Sequence, residues 1–296
     1  MSRPIATLAL LLTTFIWGMA FVAQKSAMDH MGPLTFIGVR YLLGGLIVVP
    51  LAIREWRAKK PVLSRSDKGF IVLIAVNFFL GVYLQQAGLT LTTATNGGFL
   101  TSLYVLLAPL VAWSILGARP HRVLLLGIPL ALTGVYWLNG ATLTALNAGD
   151  LLVLLSAIAW AVQVALIGEI SKRTGLPITI SVISFATTAA FGLLGMGLFE
   201  TPSVGAIAAN WVAIGYAAVF STAVAFTLQA ISQQYVPPAN AAIVLSAEGL
   251  FAAIGGAIFL GDRLPPIGYA GAALILVAIT LVEVLPVLRQ RQRSAG

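Results

Sequence analysis

Glu248 stands in the middle of an otherwise apolar stretch, Leu245-Ser246-Ala247-Glu248-Gly249. A carboxyl there is costly to expose to hydrocarbon, so it must face a bundle interior or water. It reads either as a proton-coupling group and counter-charge for an amine, or as a structural carboxyl at a helix crossing. Two cations complement it. Arg40 lies a short way beyond Pro33, roughly 10 Å along a helix at about 1.5 Å per residue. Lys25 closes the preceding apolar run, with Asp29 nearby. Both suit a substrate carboxylate or an outer gate; the alternative is snorkelling of long basic side chains to an interface.

Trp17, Tyr83, Tyr104 and Trp160 fall at middle or near-middle positions of apolar runs. Such rings wall an amphipathic cavity that stacks on a planar or apolar group, or they simply pack. Gln85, Gln163 and Gln229, with Gln86 and Asn77, add buried hydrogen-bonding capacity. Neutral amides orient a zwitterion without adding full charges. They equally serve interhelical hydrogen bonds, which average under about 1 kcal/mol. With no cysteine, and His30 and His121 as the two histidines, no disulfide and no metal cluster is expected. There is no P-loop, phosphate cradle or nucleophile elbow, so ATP-driven transport within this chain is not expected, and no catalytic residue or cofactor is assigned.

Composition says which elements must hold these groups. Apolar residues make up 59% of the 296 and charged residues 9%, with mean hydropathy +0.98. An ordinary soluble domain carries about 25% charged residues. The expectation is an all-α, polytopic membrane bundle. Ten apolar runs read as spans: 4–24, 33–53, 69–91, 96–116, 122–141, 149–169, 178–199, 210–232, 239–260 and 266–288. They occupy most of the chain, so any activity must lie within the bundle. The first is read as a retained helix and not a cleaved leader, because its repeat counterpart, Leu151 to Glu169, is internal. Pro50, Pro109, Pro129 and Pro286 mark expected kinks.

The net charge of +8 is no nucleic-acid signal, because the basic residues sit in short loops between these runs. Of 17 Lys and Arg, 14 fall on one side, from Arg3 through the Arg54–Lys68 loop to Arg293. That bias places both termini in the cytoplasm of a bacterial-type inner membrane. The chain also repeats. A shift of 144 residues aligns Pro33 with Pro177, Thr35 with Thr179, Gln85 with Gln229 and Asn96 with Asn240. Before Pro33 the shift is 143, which sets Trp17 on Trp160. Five spans per copy is an odd number, so residues 1–144 and 145–296 read as two inverted five-helix repeats. Inverted repeats characterise secondary transporters that work by alternating access.

Several stretches resemble the EamA-type branch of the drug/metabolite transporter superfamily. They are Ile16-Trp17-Gly18-Met19-Ala20-Phe21-Val22 followed by Lys25, and Pro33-Leu34-Thr35-Phe36 leading to Arg40-Tyr41. Ala87 and Leu89 with the turn Thr92–Asn96 follow, then Leu116-Gly117-Ala118-Arg119 with its echo Leu260-Gly261-Asp262-Arg263. Relatives often carry Gly-Glu-Arg at that last motif; here the acidic position is Ala118 in one copy and Asp262 in the other. The resemblance covers essentially the whole chain. It implies a transporter of small organic molecules, akin to bacterial exporters of amino acids, other metabolites or toxic cations.

Asn96-Gly97 and Pro237 to Asn240 lie in two turns, expected to form gate hairpins on opposite faces, with each Asn as a helix N-cap. The leading expectation is export of small metabolites, neutral and aromatic amino acids first. The partners are then a small-molecule substrate and the lipid bilayer, with no nucleic acid, and Glu248 is the candidate for proton coupling. The alternatives are efflux of a lipophilic or quaternary cation, a non-transporting scaffold, or an intramembrane enzyme.

Overall fold

Apolar runs punctuated by Pro, Gly and capping residues become helices, as a backbone with no water to bond requires. The computed structural model describes residues 1–117, 122–138, 140–141, 146–236, 241, 244–245 and 247–295, with the side chains at 3, 116 and 282–295 left aside. The helices are α1 (Arg3–Met28), α2 (Pro33–Lys59), α3 (Arg65–Gly88), α4 (Ala94–Ser102), α5 (Tyr104–Leu116) and α6 (Leu124–Leu138). There follow α7 (Ala148–Thr174), α8 (Pro177–Phe199), α9 (Val204–Ala209), α10 (Trp211–Ser232), α11 (Glu248–Leu260) and α12 (Pro266–Ala295). Among the described residues there is no strand. Seven segments are long and apolar enough to cross a membrane: α1, α2, α3, the α4–α5 pair, α7, α8 and α10. Helix α6, α11 and the apolar part of α12 are shorter. Leu11, Leu46, Leu126 and Leu198 point outward, the mark of a surface solvated by lipid. This is a multi-pass membrane protein.

Several helices outrun their apolar cores. Helix α1 continues to Met28, α2 to Lys59 and α7 to Thr174, because polar and basic last turns are good helix formers beyond the hydrocarbon. Gly175, with φ of 71°, stops α7, and Pro177 opens α8. Capping boxes start α3 (Ser64 with Asp67) and α7 (Asn147 with Asp150).

Among the described residues the breaks and widened turns fall away from the prolines inside helices. Helices run unbroken through Pro50, Pro109 and Pro129. The break falls instead at Leu103, between α4 and α5, where Leu103 N bonds to Leu100 O at 3.3 Å in a tightened turn. Helix α10 widens to π geometry over Ala217–Phe226, and α11 does so over Gly256–Leu260. Such wide turns recur at functional sites.

Pairs of helices pack side by side: α2 on α8, α3 on α7, α6 on α12, and α4 on α11, with α1 against α10 and α11. In the α2–α8 pair a Cβ added at Gly192 would lie 2.7 Å from Gly38 N, so the two backbones are in contact. The pair is antiparallel and each helix closes the other. Glu200, at the end of α8, accepts from Leu34 N, Thr35 N and Thr35 Oγ1 at 2.8, 2.8 and 2.7 Å. Glu55, near the end of α2, accepts from Ile178 N, Thr179 N and Thr179 Oγ1 at 3.2, 2.7 and 2.7 Å. Each carboxylate satisfies amides that a helix start leaves orphaned and meets the positive end of the helix dipole.

Glu200→Ala and Glu55→Ala are each expected to destabilise the protein by about 1–2 kcal/mol, the usual worth of an N-cap. The two sites are at opposite ends of one helix pair, so the double variant should show the sum. Thermal unfolding of the purified protein measures all three; no loss in either single variant would remove the caps from the account of stability.

Candidate functional site

A cavity lies where α1, α2, α3, α4, α5, α7, α10 and α11 meet. Helix α1 contributes Trp17, Phe21 and Gln24; α2 contributes Arg40 and Tyr41; α3 contributes Val82 and Gln85. Thr101 and Tyr104 flank the Leu103 break. Trp160, Gln163 and Val164 come from α7, Ser221, Phe226 and Gln229 from α10, and Glu248 from the start of α11.

Arg40 organises one wall. It is 3% exposed, so it does not snorkel. Its Nε donates to Thr222 Oγ1 at 3.0 Å, Nη1 to Gln24 Oε1 at 3.1 Å and Nη2 to Ser221 Oγ at 2.8 Å. Its guanidinium lies 4.8 Å from the Tyr41 ring centre. All three acceptors are neutral, and among the described residues no carboxylate pairs with it. Ser221 and Thr222 are adjacent in sequence. The wide turn of α10 opens the ladder enough for both hydroxyls to reach one guanidinium. Gln24 Oε1 also accepts from Gln85 Nε2 at 3.4 Å, and Gln85 Oε1 accepts from Trp160 Nε1 at 2.8 Å. Trp17 Nε1 donates to Ser221 O at 3.2 Å. Both indoles lean on Phe226, at ring separations of 4.6 Å for Trp17 and 6.0 Å for Trp160.

Glu248 forms the other pole. It is 3% exposed, and its Oε1 has no hydrogen-bond partner. Tight packing fixes its place: a Cβ at Gly18 would lie 2.8 Å from Glu248 O, and one at Gly249 2.9 Å from Ser102 Oγ.

The α3–α4 turn, residues 89–93, is tied down at one end of the bundle. Lys25 Nζ donates to Leu89 O at 3.1 Å. Thr92 donates to Asp150, and Asn147 Nδ2 to Leu91 O at 3.1 Å. Asp262 accepts from Thr95 N at 3.0 Å and Thr95 Oγ1 at 2.9 Å. Helices α1 and α7 are thus stitched to this turn, and the loop after α11 to the first turn of α4.

Residues 4–140 and again 147–284 match the EamA-like transporter family. The chain belongs to that family. It is 34% identical over 284 residues to an uncharacterized transporter of Archaeoglobus fulgidus, covering 95% of this chain and 86% of that one. It is 24% identical to the uncharacterized inner membrane transporter YedA of Escherichia coli, over 93% of this chain and 89% of that one. A shorter match, 30% over 125 residues and 39% of each chain, joins it to an S-adenosylmethionine/S-adenosylhomocysteine transporter of Chlamydia muridarum. A solved crystal structure superposes with a TM-score of 0.72 over 96% of this chain and 98% of that one at 18% identity, a likeness of fold.

In this EamA-like transporter eight of the residues singled out from sequence line the one cavity: Trp17, Arg40, Gln85, Tyr104, Trp160, Gln163, Gln229 and Glu248. Two others stand elsewhere. Tyr83 stacks beside Phe79 at 6.0 Å, because the inward face of α3 carries Val82 and Gln85. Lys25 bonds carbonyls at the end of α3, which need donors more than Asp29 needs a cation. The N-cap before Asn96 is Thr93, whose Oγ1 accepts from Asn96 N at 3.0 Å, so Asn96 is three residues inside the helix, with Gly97 packed under Leu89. Pro237 and Asn240 lie outside the described residues. Sequence reasoning missed Gln24, Tyr41, Thr101, Ser221 and Phe226. One signal was available for Ser221 and Gln24: a buried arginine needs neutral acceptors when no acid is at hand.

Burying a guanidinium with only neutral partners carries a desolvation cost that its three hydrogen bonds offset only in part. Arg40→Met is therefore expected to leave the thermal unfolding midpoint unchanged or raised. A fall worth more than about 1 kcal/mol would show the guanidinium to be a structural strut and not a reserved charge.

Proposed function

We propose that this protein exports small zwitterions, with neutral and aromatic amino acids first, by alternating access across a bacterial-type inner membrane. The observation that carries the reading is a pair of ionisable groups in one cavity, neither with an ionic partner among the described residues. Arg40 has only neutral partners, and Glu248 Oε1 has none, while Trp17, Phe226 and Trp160 provide an aromatic wall between helices. A bound zwitterion offers each charge its complement, so both desolvation penalties are offset on binding. An apolar or aromatic side chain stacks on the wall. Arg40 in the same cavity counts against a quaternary or lipophilic cation. The Chlamydia relative is named for S-adenosylmethionine, itself an amino acid with an aromatic base, which fits the same chemistry.

In this reading the bundle has ten crossings in two inverted repeats, residues 1–144 and 145–296, with both termini cytoplasmic. The three shorter apolar helices supply the further crossings. Support comes from the two family matches and from the same three-bond cap at Leu34-Thr35 and at Ile178-Thr179. The turn held by Lys25, Asp150 and Asp262 is the outer gate, and Pro237 to Asn240 its inner counterpart. Glu248 couples substrate movement to protons.

Counterflow of labelled phenylalanine in liposomes tests the substrate. Arg40→Met should lower it about tenfold or more, the loss expected when one charge-assisted contact disappears. Excess S-adenosylmethionine should compete and a quaternary ammonium should not; the reverse order would favour cation efflux. Glu248→Gln should abolish the pH-driven part of the flux while leaving exchange. A pH dependence identical to that of the parent would leave Glu248 without a coupling role.

The chain has no cysteine, so thiols placed at positions 25 and 90 can be joined by a bifunctional reagent. Joining them is expected to arrest transport, and transport that continues undiminished would rule out the gate.

A further inference from the structure

Two sets of polar groups stand out at the cavity. Around Arg40 four oxygens have a donor: Gln24 Oε1, Gln85 Oε1 and Ser221 Oγ from the lining, and Thr222 Oγ1 beside it. The other set has none. Thr101 Oγ1, Gln163 Oε1 and Glu248 Oε1 are buried without a hydrogen-bond partner, and all three residues line the same cavity. They are 3% exposed each. Their helices adjoin, because α4 packs against both α7 and α11. Close approach of α4 to α11 fixes the Thr101 and Glu248 ends: a Cβ at Gly98 would lie 2.3 Å from Ala252 Cβ, and one at Gly249 3.2 Å from Gly98 O.

Buried polar atoms in proteins nearly always find partners, so three orphans around one empty space call for a ligand that supplies donors. We infer that Thr101, Gln163 and Glu248 form an ammonium subsite that selects N–H-bearing cations over quaternary ones. A primary ammonium carries three N–H donors and no acceptor, which matches three acceptors of which one is a carboxylate. Charge alone would draw a quaternary ammonium equally well. That group brings no N–H, so it would leave the Thr101 and Gln163 oxygens buried and unsatisfied, the situation in which polar sites reject an analogue strongly. The inference rests on the zwitterion reading for the carboxylate end, while the ammonium end stands on these three side chains.

The test uses the full chain, purified into nanodiscs, and calorimetric titration with three compounds: phenylalanine, 2-phenylethylammonium and trimethyl(2-phenylethyl)ammonium. The primary amine should bind about tenfold or more tighter than its trimethyl form. In a Thr101→Val, Gln163→Leu variant the preference should shrink to about twofold while the trimethyl form binds as before, which a folding defect would not produce. Equal binding of the two amines to the parent protein, or binding by neither, overturns the subsite. Preference for the primary amine with no binding of phenylalanine overturns the amino-acid reading and leaves the subsite standing.

Discussion

A guanidinium held inside a membrane bundle with no carboxylate beside it sets the terms for the elements around it. Arg40 is buried, so its donors need partners within the protein. Helix α10 abandons regular geometry over Ala217–Phe226 and so places Ser221 and Thr222 on two of its nitrogens. Helix α1 must run past its last apolar turn so that Gln24 meets a third. Gln24 then anchors Gln85, which orients Trp160, and Ser221 O holds Trp17. Both indoles of the aromatic wall are thus positioned through a network that begins at one charge. Hydrogen bonds to neutral groups solvate the guanidinium without neutralising it. The positive charge therefore stays available to whatever enters the cavity.

The same economy of charge governs the helix ends. Four acidic side chains, Glu55, Asp150, Glu200 and Asp262, accept from backbone amides or hydroxyls at helix starts or turns. Among the described residues the one salt bridge is Arg173 with Asp67. Capping is the better use of a carboxylate at a membrane boundary, because a helix N-terminus has orphaned donors wherever it sits, and its dipole is always present. Asp262 is a case in point: it turns to Thr95, and its neighbour Arg263 donates to the carbonyl of Ala257 at 2.9 Å. All four join elements far apart in sequence, Asp150 through its bond from Thr92. The contacts that satisfy helix ends are therefore also contacts that join distant helices at the ends of the bundle.

Depth and apolar length made the helices legible in the sequence, along with half of the cavity lining. A buried Arg, Glu, Gln, Trp or Tyr in a long apolar run announces itself, and eight such residues converge on one space. What stayed hidden depended on local competition. Gln24 sits at the edge of an apolar run, and its helix continues to Met28, which turns a boundary residue into an interior one. Ser221 and Thr222 look like ordinary small residues, and no periodicity marks a wide turn. Thr92, Thr93, Thr95 and Asn96 are all good caps, and type alone does not say which takes the role; the backbone gives it to Thr93. Glu55 and Glu200 read as loop charges until the antiparallel contact of α2 and α8 brings a helix start to each.

The repeat in the sequence sharpens the point about charge. The 144-residue shift matches Gln85 with Gln229, and the preceding 143-residue shift matches Trp17 with Trp160, all of which line the cavity. The charged residues have no such match. Glu248 falls on Tyr104 and Arg40 on Ser184. A cavity framed by related residues from two halves offers a ligand two equivalent orientations. A cation contributed by the first half and a carboxyl by the second remove that equivalence and give the space a direction. In the proposed zwitterion exporter the frame can be shared between the two gating states, while the unmatched pair, Arg40 and Glu248, keeps the substrate's headgroup in one orientation throughout.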